Sequence, residues 1–244
     1  MRVLLNGAGG AMGREIRSLL ESGYRGGSVA GLVEIRGGDG MCKSFEELRC
    51  EADVVLDFSF HTATAAAVDY AVAHALPIVV GTTGHTAEER AHILAAAQKI
   101  PVFYTGNMSL GIAVLCKLVK LAVQAFPTAD VEIVEAHHNR KADAPSGTAI
   151  MLARAVASVR PGAQIVTGRS GQCPRQSGEI GISSIRLGNT VGIHEVLIST
   201  GTQTITLKHE AHDRALFAQG GLDAAVFLLG RAAGHYEMDD LVAE

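Results

Sequence analysis

The sequence predicts an α/β protein: an N-terminal Rossmann-like parallel sheet followed by a second, α+β domain. Three observations on this 244-residue chain predict it. Short apolar strands alternate with helices through about the first hundred residues, as in repeated βα units with right-handed crossovers. A glycine-rich turn joins the first strand to the first helix. After Pro161 the pattern becomes period-two and β-branched, which suits antiparallel strands of a separate sheet.

Taken in order, Val3–Asn6 reads as a strand, Gly7–Gly13 as the glycine turn and Met12–Glu21 as a helix. Strands follow at Val29–Glu34 and Asp53–Phe58, then an Ala-rich helix at His61–Ala75. Pro77–Val80 is a strand, Gly81-Thr82-Thr83-Gly84 a loop, Thr86–Lys99 a helix and Val102–Tyr104 a strand. A long helix, Ser109–Phe126, leads into strand Val131–Ala136, a charged loop and helix Thr148–Val159. Gly168–Gly181 reads as a surface loop. Ile182–Leu187, Val191–Thr200 and Thr202–His209 read as antiparallel strands with a turn at Thr200-Gly201, and Arg214–Ala233 as a closing helix.

Composition bounds the function. Hydrophobic residues make up 48% of the chain, enough for one or two real cores. The net charge of −4 gives no reason to expect nucleic acid or an anionic membrane. The charge is unevenly spread, however. Nine Lys/Arg against five Asp/Glu between His137 and Arg214 give that segment +4 and leave −8 elsewhere. A compact basic region fits a small polyanion; a solvated charged face is the competing account. Cys42, Cys50, Cys116 and Cys173 show no CxxC spacing and read as ordinary thiols of a cytoplasmic protein. The apolar helix 111–126 is interrupted by Lys117 and Lys120, so no membrane span is expected.

Gly7, Gly10, Ala11, Met12 and Gly13 form the turn where a dinucleotide pyrophosphate meets a helix N-terminus. The spacing departs from strict GxGxxG, though Gly9 supplies an alternative register, and a plain tight turn is the competing reading. Glu34, 21 residues past Gly13, stands where an acid meets the adenosine ribose. That acid favours NADH over NADPH, with Arg36 near enough to tolerate the extra phosphate. Phe58, Gly81, Thr82, Thr83, Asn107 and Met108 follow strands whose carboxyl ends share one edge, where open α/β sheets bind ligands. Ser59 and Ser109 read as helix N-caps.

The segment Glu135–Ala149 is the densest in chemistry. His137 and His138, with Lys141 and Asp143, directly precede Pro145-Ser-Gly-Thr148, a helix start whose unpaired N–H groups attract anions. Histidine suits proton transfer near neutral pH. Packing or surface histidines are the bland alternative; metal ligation with Asp143 lacks both the i, i+4 spacing and a third ligand. His194, His209 and His212, beside Arg186 and Arg214, read as pocket-lining or structural residues.

Glu-x-His-His-x-x-Lys-x-Asp-x-Pro-Ser-Gly-Thr at 135–148 resembles the dihydrodipicolinate reductase family, also named 4-hydroxy-tetrahydrodipicolinate reductase, of the diaminopimelate route to lysine. The N-terminal glycine turn, Gly81-Thr-Thr-Gly84, Asn107-x-Ser109, Arg186-x-Gly-x-x-Val-Gly-x-His194 and His209-x-x-x-x-Arg214-x-x-Phe217-Ala agree with it over nearly the whole chain. The resemblance implies an NADH- or NADPH-dependent reductase acting on a small cyclic dicarboxylate. His137 would be the proton donor and Lys141 its charge-stabilising partner. His138, Gly147 and Thr148 would hold substrate carboxylate. It also implies a homotetramer built through the second domain's sheet. The expected division is 1–106 with 215–244 for the dinucleotide and 107–214 for substrate and oligomerisation. Ile35 stands where many members carry an arginine for the NADPH phosphate, and His85 where a hydrophobic residue is common.

Overall fold

A computed structural model describes residues 1–243. The chain runs β1 (Arg2–Asn6), α1 (Ala11–Glu21), β2 (Ser28–Val33), β3 (Val54–Asp57), α2 (His61–Ala73), β4 (Ile78–Val80), α3 (Ala87–Ala96) and β5 (Pro101–Tyr104). It continues through α4 (Leu110–Ala125), β6 (Asp130–His137), α5 (Gly147–Val159), β7 (Gln164–Thr167), β8 (Glu179–Arg186), β9 (Gly192–Ser199) and β10 (Thr204–Ala211). It closes with α6 (Ala215–Leu228), β11 (Gly234–Tyr236) and α7 (Met238–Val242). Two compact units result: Met1–Ser109 together with the segment from Arg214 onward, and Leu110–Asp213. Among the described residues no helix is long and apolar enough to cross a membrane.

The first unit is a six-stranded parallel sheet in the order β11-β5-β4-β3-β1-β2. Val3–Leu5, Val54–Leu56 and Ile78–Val80 are almost wholly buried, as expected when helices cover both faces of a parallel sheet. The strand order reverses between β1 and β3, which makes their carboxyl ends the topological switch point. α6 lies against β3, β4 and β5, so the returning chain completes this layer.

The second unit is a mixed five-stranded sheet in the order β10-β9-β6-β8-β7. α4 and α5 pack on one face over Val131, Ile133, Ile180, Val196 and Ile198. No helix of this unit covers the other face among the described residues. The expected antiparallel set is corrected here. β9 and β10 are antiparallel, but β8 runs parallel to both β6 and β7. β7, which sequence reading left out, sits at the edge, and β8 inserts between it and β6. The reading of 168–181 as surface loop is also corrected. Its last residues are strand, and Arg175 pins the remainder to Asp130, Glu132 and the carbonyl of Val131.

Candidate active site

In the first unit the glycine turn is shaped by close approach. Gly7 has φ +81°, and a Cβ there would lie 2.3 Å from the Phe58 carbonyl oxygen. A Cβ at Gly13 would lie 2.2 Å from the Gly7 carbonyl. α1 therefore starts tight against β1, with no acid in its first turn. Glu34, just past β2, reaches back so that its Oε2 accepts from the Gly9 N–H at 3.0 Å. A cradle open only to glycine, a bare helix start and an acid at its rim fit a dinucleotide. A groove of about 790 Å³ in the same unit lies between Ile35 and Lys43 on one side and Thr62, Ala66 and Tyr70 of α2 on the other.

The loops at the carboxyl ends of β1, β3 and β4 are tied together by Asp57, which is completely buried. It accepts from Asn6 Nδ2 at 2.7 Å, Ser59 Oγ at 2.6 Å and Thr64 Oγ1 at 2.7 Å. Ser59 N–H donates to Thr82 Oγ1 at 2.8 Å. Ser59 thus braces the β3 and β4 loops, and the N-cap of α2 is Phe60, contrary to the sequence expectation. His85 joins this network. Thr64 spends its proton on Asp57, so His85 Nε2–H donates to Thr64 Oγ1 at 2.9 Å, and Nδ1 accepts from the Tyr104 hydroxyl at 3.2 Å. Burial lowers the His85 pKa, consistent with that neutral tautomer. Phe58 is gripped by glycines: a Cβ at Gly81 or Gly221 would lie 2.4 or 2.6 Å from its ring. Asp57 ends its strand on the edge expected from sequence to bind ligand; Asn6, Thr64 and the α6 glycines carry no such sequence expectation. Their signal is only that polar residues end apolar strands and that two adjacent glycines interrupt a helix.

In the second unit the inward face of each central strand changes character along its length. Val131 and Ile133 of β6, Ile180 and Ile182 of β8, and Val196 and Ile198 of β9 belong to the core. Two residues on, in strand period, come Glu135 and His137, then Ser184 and Arg186; on antiparallel β9 the matching positions are His194 and Gly192. Glu135, His194 and His209 are register partners across three strands. Period-two counting from Val131 would have placed Glu135 on the buried face.

Glu135 is completely buried and saturated with donors. Arg186 grips it with both terminal nitrogens at 2.8 Å, Ser146 N–H donates at 3.1 Å and His137 Nδ1 lies 2.6 Å from Oε2. Burial alone would push this carboxyl up. The Arg186, Ser184 and His137 side chains and the Ser146 amide outweigh it and hold the pKa at about 2. Ser146 is also the N-cap of α5: its Oγ accepts from Ala149 N–H at 3.1 Å and meets His194 Nε2 at 3.0 Å. His194 is buried, which, with His137 nearby, holds its pKa down to about 4.

Of the residues expected from sequence, His137 sits at the end of β6, its ring centroid 5.1 Å from that of His194. Gly147 and Thr148 form the first turn of α5, whose start carries no acid. His138 lies one residue past the strand, its carbonyl accepting from Lys141 N–H at 3.1 Å. Lys141 Nζ donates to Asp143 Oδ1 at 2.8 Å. In the first unit Asn107 Oδ1 accepts from Ser109 N–H at 2.8 Å, and Met108 is buried.

A parallel sheet with a glycine cradle at its switch point, in a chain whose second unit bears histidines at a helix start, defines a two-unit nicotinamide-dinucleotide oxidoreductase. The family model described as dihydrodipicolinate reductase, N-terminus, matches residues 1–108, and that described as dihydrodipicolinate reductase, C-terminus, matches 111–242. The 4-hydroxy-tetrahydrodipicolinate reductase of Alkaliphilus metalliredigens is 40% identical over 99% of both chains. That of Thermomicrobium roseum is 42% identical, again over 99% of each. A dipicolinate-bound dihydrodipicolinate reductase from Paenisporosarcina shares the fold, with a TM-score of 0.77 at 24% identity over 97% of each chain. The chain belongs to the dihydrodipicolinate reductase family.

Proposed function

We propose that this chain reduces 4-hydroxy-tetrahydrodipicolinate to tetrahydrodipicolinate, with loss of water, in the diaminopimelate route to lysine. The observation that carries the reading is the fold of 135–148, which sets His137 and the start of α5 at one end of a single sheet. When bound, the reduced nicotinamide supplies the hydride. The chain supplies the rest. The Gly147 and Thr148 amides, aided by His138, hold a substrate carboxylate at the positive end of α5. Lys141 offsets the negative charge that builds as hydride arrives, and His137 delivers the proton.

The first unit is the dinucleotide domain in this reading, with Gly7, Gly10, Ala11, Met12 and Gly13 at the pyrophosphate and Glu34 at the ribose. Phe58, Gly81, Thr82, Thr83, Asn107 and Met108 border the nicotinamide half, and the groove lined by Ile35 and Tyr70 takes the adenosine. NADH is the preferred coenzyme because Glu34 opposes a 2′-phosphate; Arg36 and Lys43 allow NADPH to be used. The helix-free face of the second unit's sheet, with Ile185 45% exposed, is where copies of the chain associate as a homotetramer.

The test is loss of absorbance of NADH or NADPH mixed with enzyme and a coupled source of the hydroxylated substrate. Substrate-dependent oxidation, faster with NADH, is the expected result. Bound NADH without substrate-dependent oxidation would overturn the reading.

A further inference from the structure

We infer that Glu135 is a positioning residue: it sets which nitrogen His137 presents to substrate and ties that imidazole to the start of α5. The inference rests on His137 being the proton donor proposed above.

An ionised carboxylate only accepts, and the two Arg186 nitrogens and the Ser146 amide, all donors, engage Glu135 as an acceptor. The 2.6 Å contact with His137 Nδ1 therefore requires the proton to sit on Nδ1. A neutral His137 then has its lone pair on Nε2, and the charged ring carries its transferable proton there. Nε2 faces the β9 backbone at a position without a side chain. Gly192 lies beside it, and a Cβ at that position would come within 3.2 Å of Nε2. A carboxylate that served only to neutralise Arg186 would have no need of the imidazole.

The same carboxylate reaches the anion seat. Ser146 gives its amide to Glu135 Oε1 while its hydroxyl caps α5 and meets His194. One buried group thus registers the proton donor against the first turn of α5. Arg186, which also donates to the Asp143 carbonyl at 2.6 Å, holds the carboxylate and the loop before α5 in place.

The experiment is Glu135→Gln in the full-length chain, with two readouts. Imidazole nitrogen NMR on ¹⁵N-histidine-labelled protein, assigned with His137→Asn, reports the tautomer without need of activity. The wild type should show a protonated Nδ1 and a pyridine-like Nε2 in neutral His137, and Glu135→Gln should lose that preference. kcat should fall on the order of 10²-fold, the scale of general acid catalysis, with the KM for the reduced dinucleotide unchanged. Glu135→Asp, which keeps the charge, should restore part of the loss. If Glu135→Gln does not fold because Arg186 is left unpaired, Glu135→Gln/Arg186→Met removes both charges and carries the same expectations. An unchanged tautomer, or kcat within about threefold of wild type, would overturn the role. A wild type that oxidises no dinucleotide with this substrate would instead sink the reductase reading, and the NMR result would still decide on Glu135.

Discussion

At the scale of single residues, the proposed chemistry rests on His137 and Lys141. His137→Ala should lower kcat by about 10²-fold or more while leaving NADH affinity, read by fluorescence titration, unchanged. Lys141→Ala should act in the same direction; full turnover in either variant would remove that residue from the proposed mechanism. His194 makes a separate prediction about stability. Its pKa is about 4 in the folded chain against 6.5 when exposed, because burial and His137 disfavour its charge. The unfolded chain binds this proton as pH falls through 6.5, and the native state does so only near 4. Stability should therefore drop across that window, by about 3 kcal/mol at ~1.4 kcal/mol per unit. Glu135 acts lower. Held at about 2 against 4.5, it contributes fully above 4.5 and loses that contribution as pH falls towards 2. In urea midpoints measured against pH, His194→Gln should flatten the upper window and leave the lower one. An unchanged upper slope would show that His194 is not the group responsible.

At the scale of elements, close packing decides more than propensity. A Cβ at Gly220 in α6 would lie 1.8 Å from the Met108 carbonyl oxygen, a backbone atom that cannot rotate away. Gly220→Ala should therefore destabilise by about 1–3 kcal/mol, read as a lower Tm, although alanine is the better helix former. A Tm equal to or above wild type would mean that α6 can shift without cost. This position also shows where sequence reading stops. The βα alternation and the glycine turn were legible because each is a local pattern, and β6 was legible from Val131, Ile133 and their polar alternates. The direction of β8 was not. A parallel return normally needs a helix, and 168–178 carries no helical pattern; the crossover is held by Arg175, which pairs with Asp130 and Glu132 of β6, and by Arg169, which pairs with Glu179 of β8. The His137 and α5 parts of the site could be named from spacing. Asp57 and Glu135 stand in segments that spacing marks, but their hydrogen-bond roles, like that of the Gly220-Gly221 pair, exist only once strands and helices from distant parts of the chain are side by side.

At the scale of the molecule, the proposed division of dinucleotide and substrate chemistry between the two units can be tested by hydrogen exchange. Adding NADH alone should slow amide exchange in the loops after β1, β3 and β4, and adding dipicolinate should slow it around 135–149. Protection by NADH in 135–149 alone would overturn the assignment of the units. The connectivity of the first unit has a consequence for biosynthesis. The second unit is one continuous segment and can close as soon as residue 213 clears the ribosome. The parallel sheet waits: β5 lacks its neighbour β11, and β3, β4 and β5 lack their α6 cover, until 215–236 emerges. Of the two units, the one whose strands are translated first is thus the one that matures last, and its apolar strands are what a chaperone at the tunnel exit would meet.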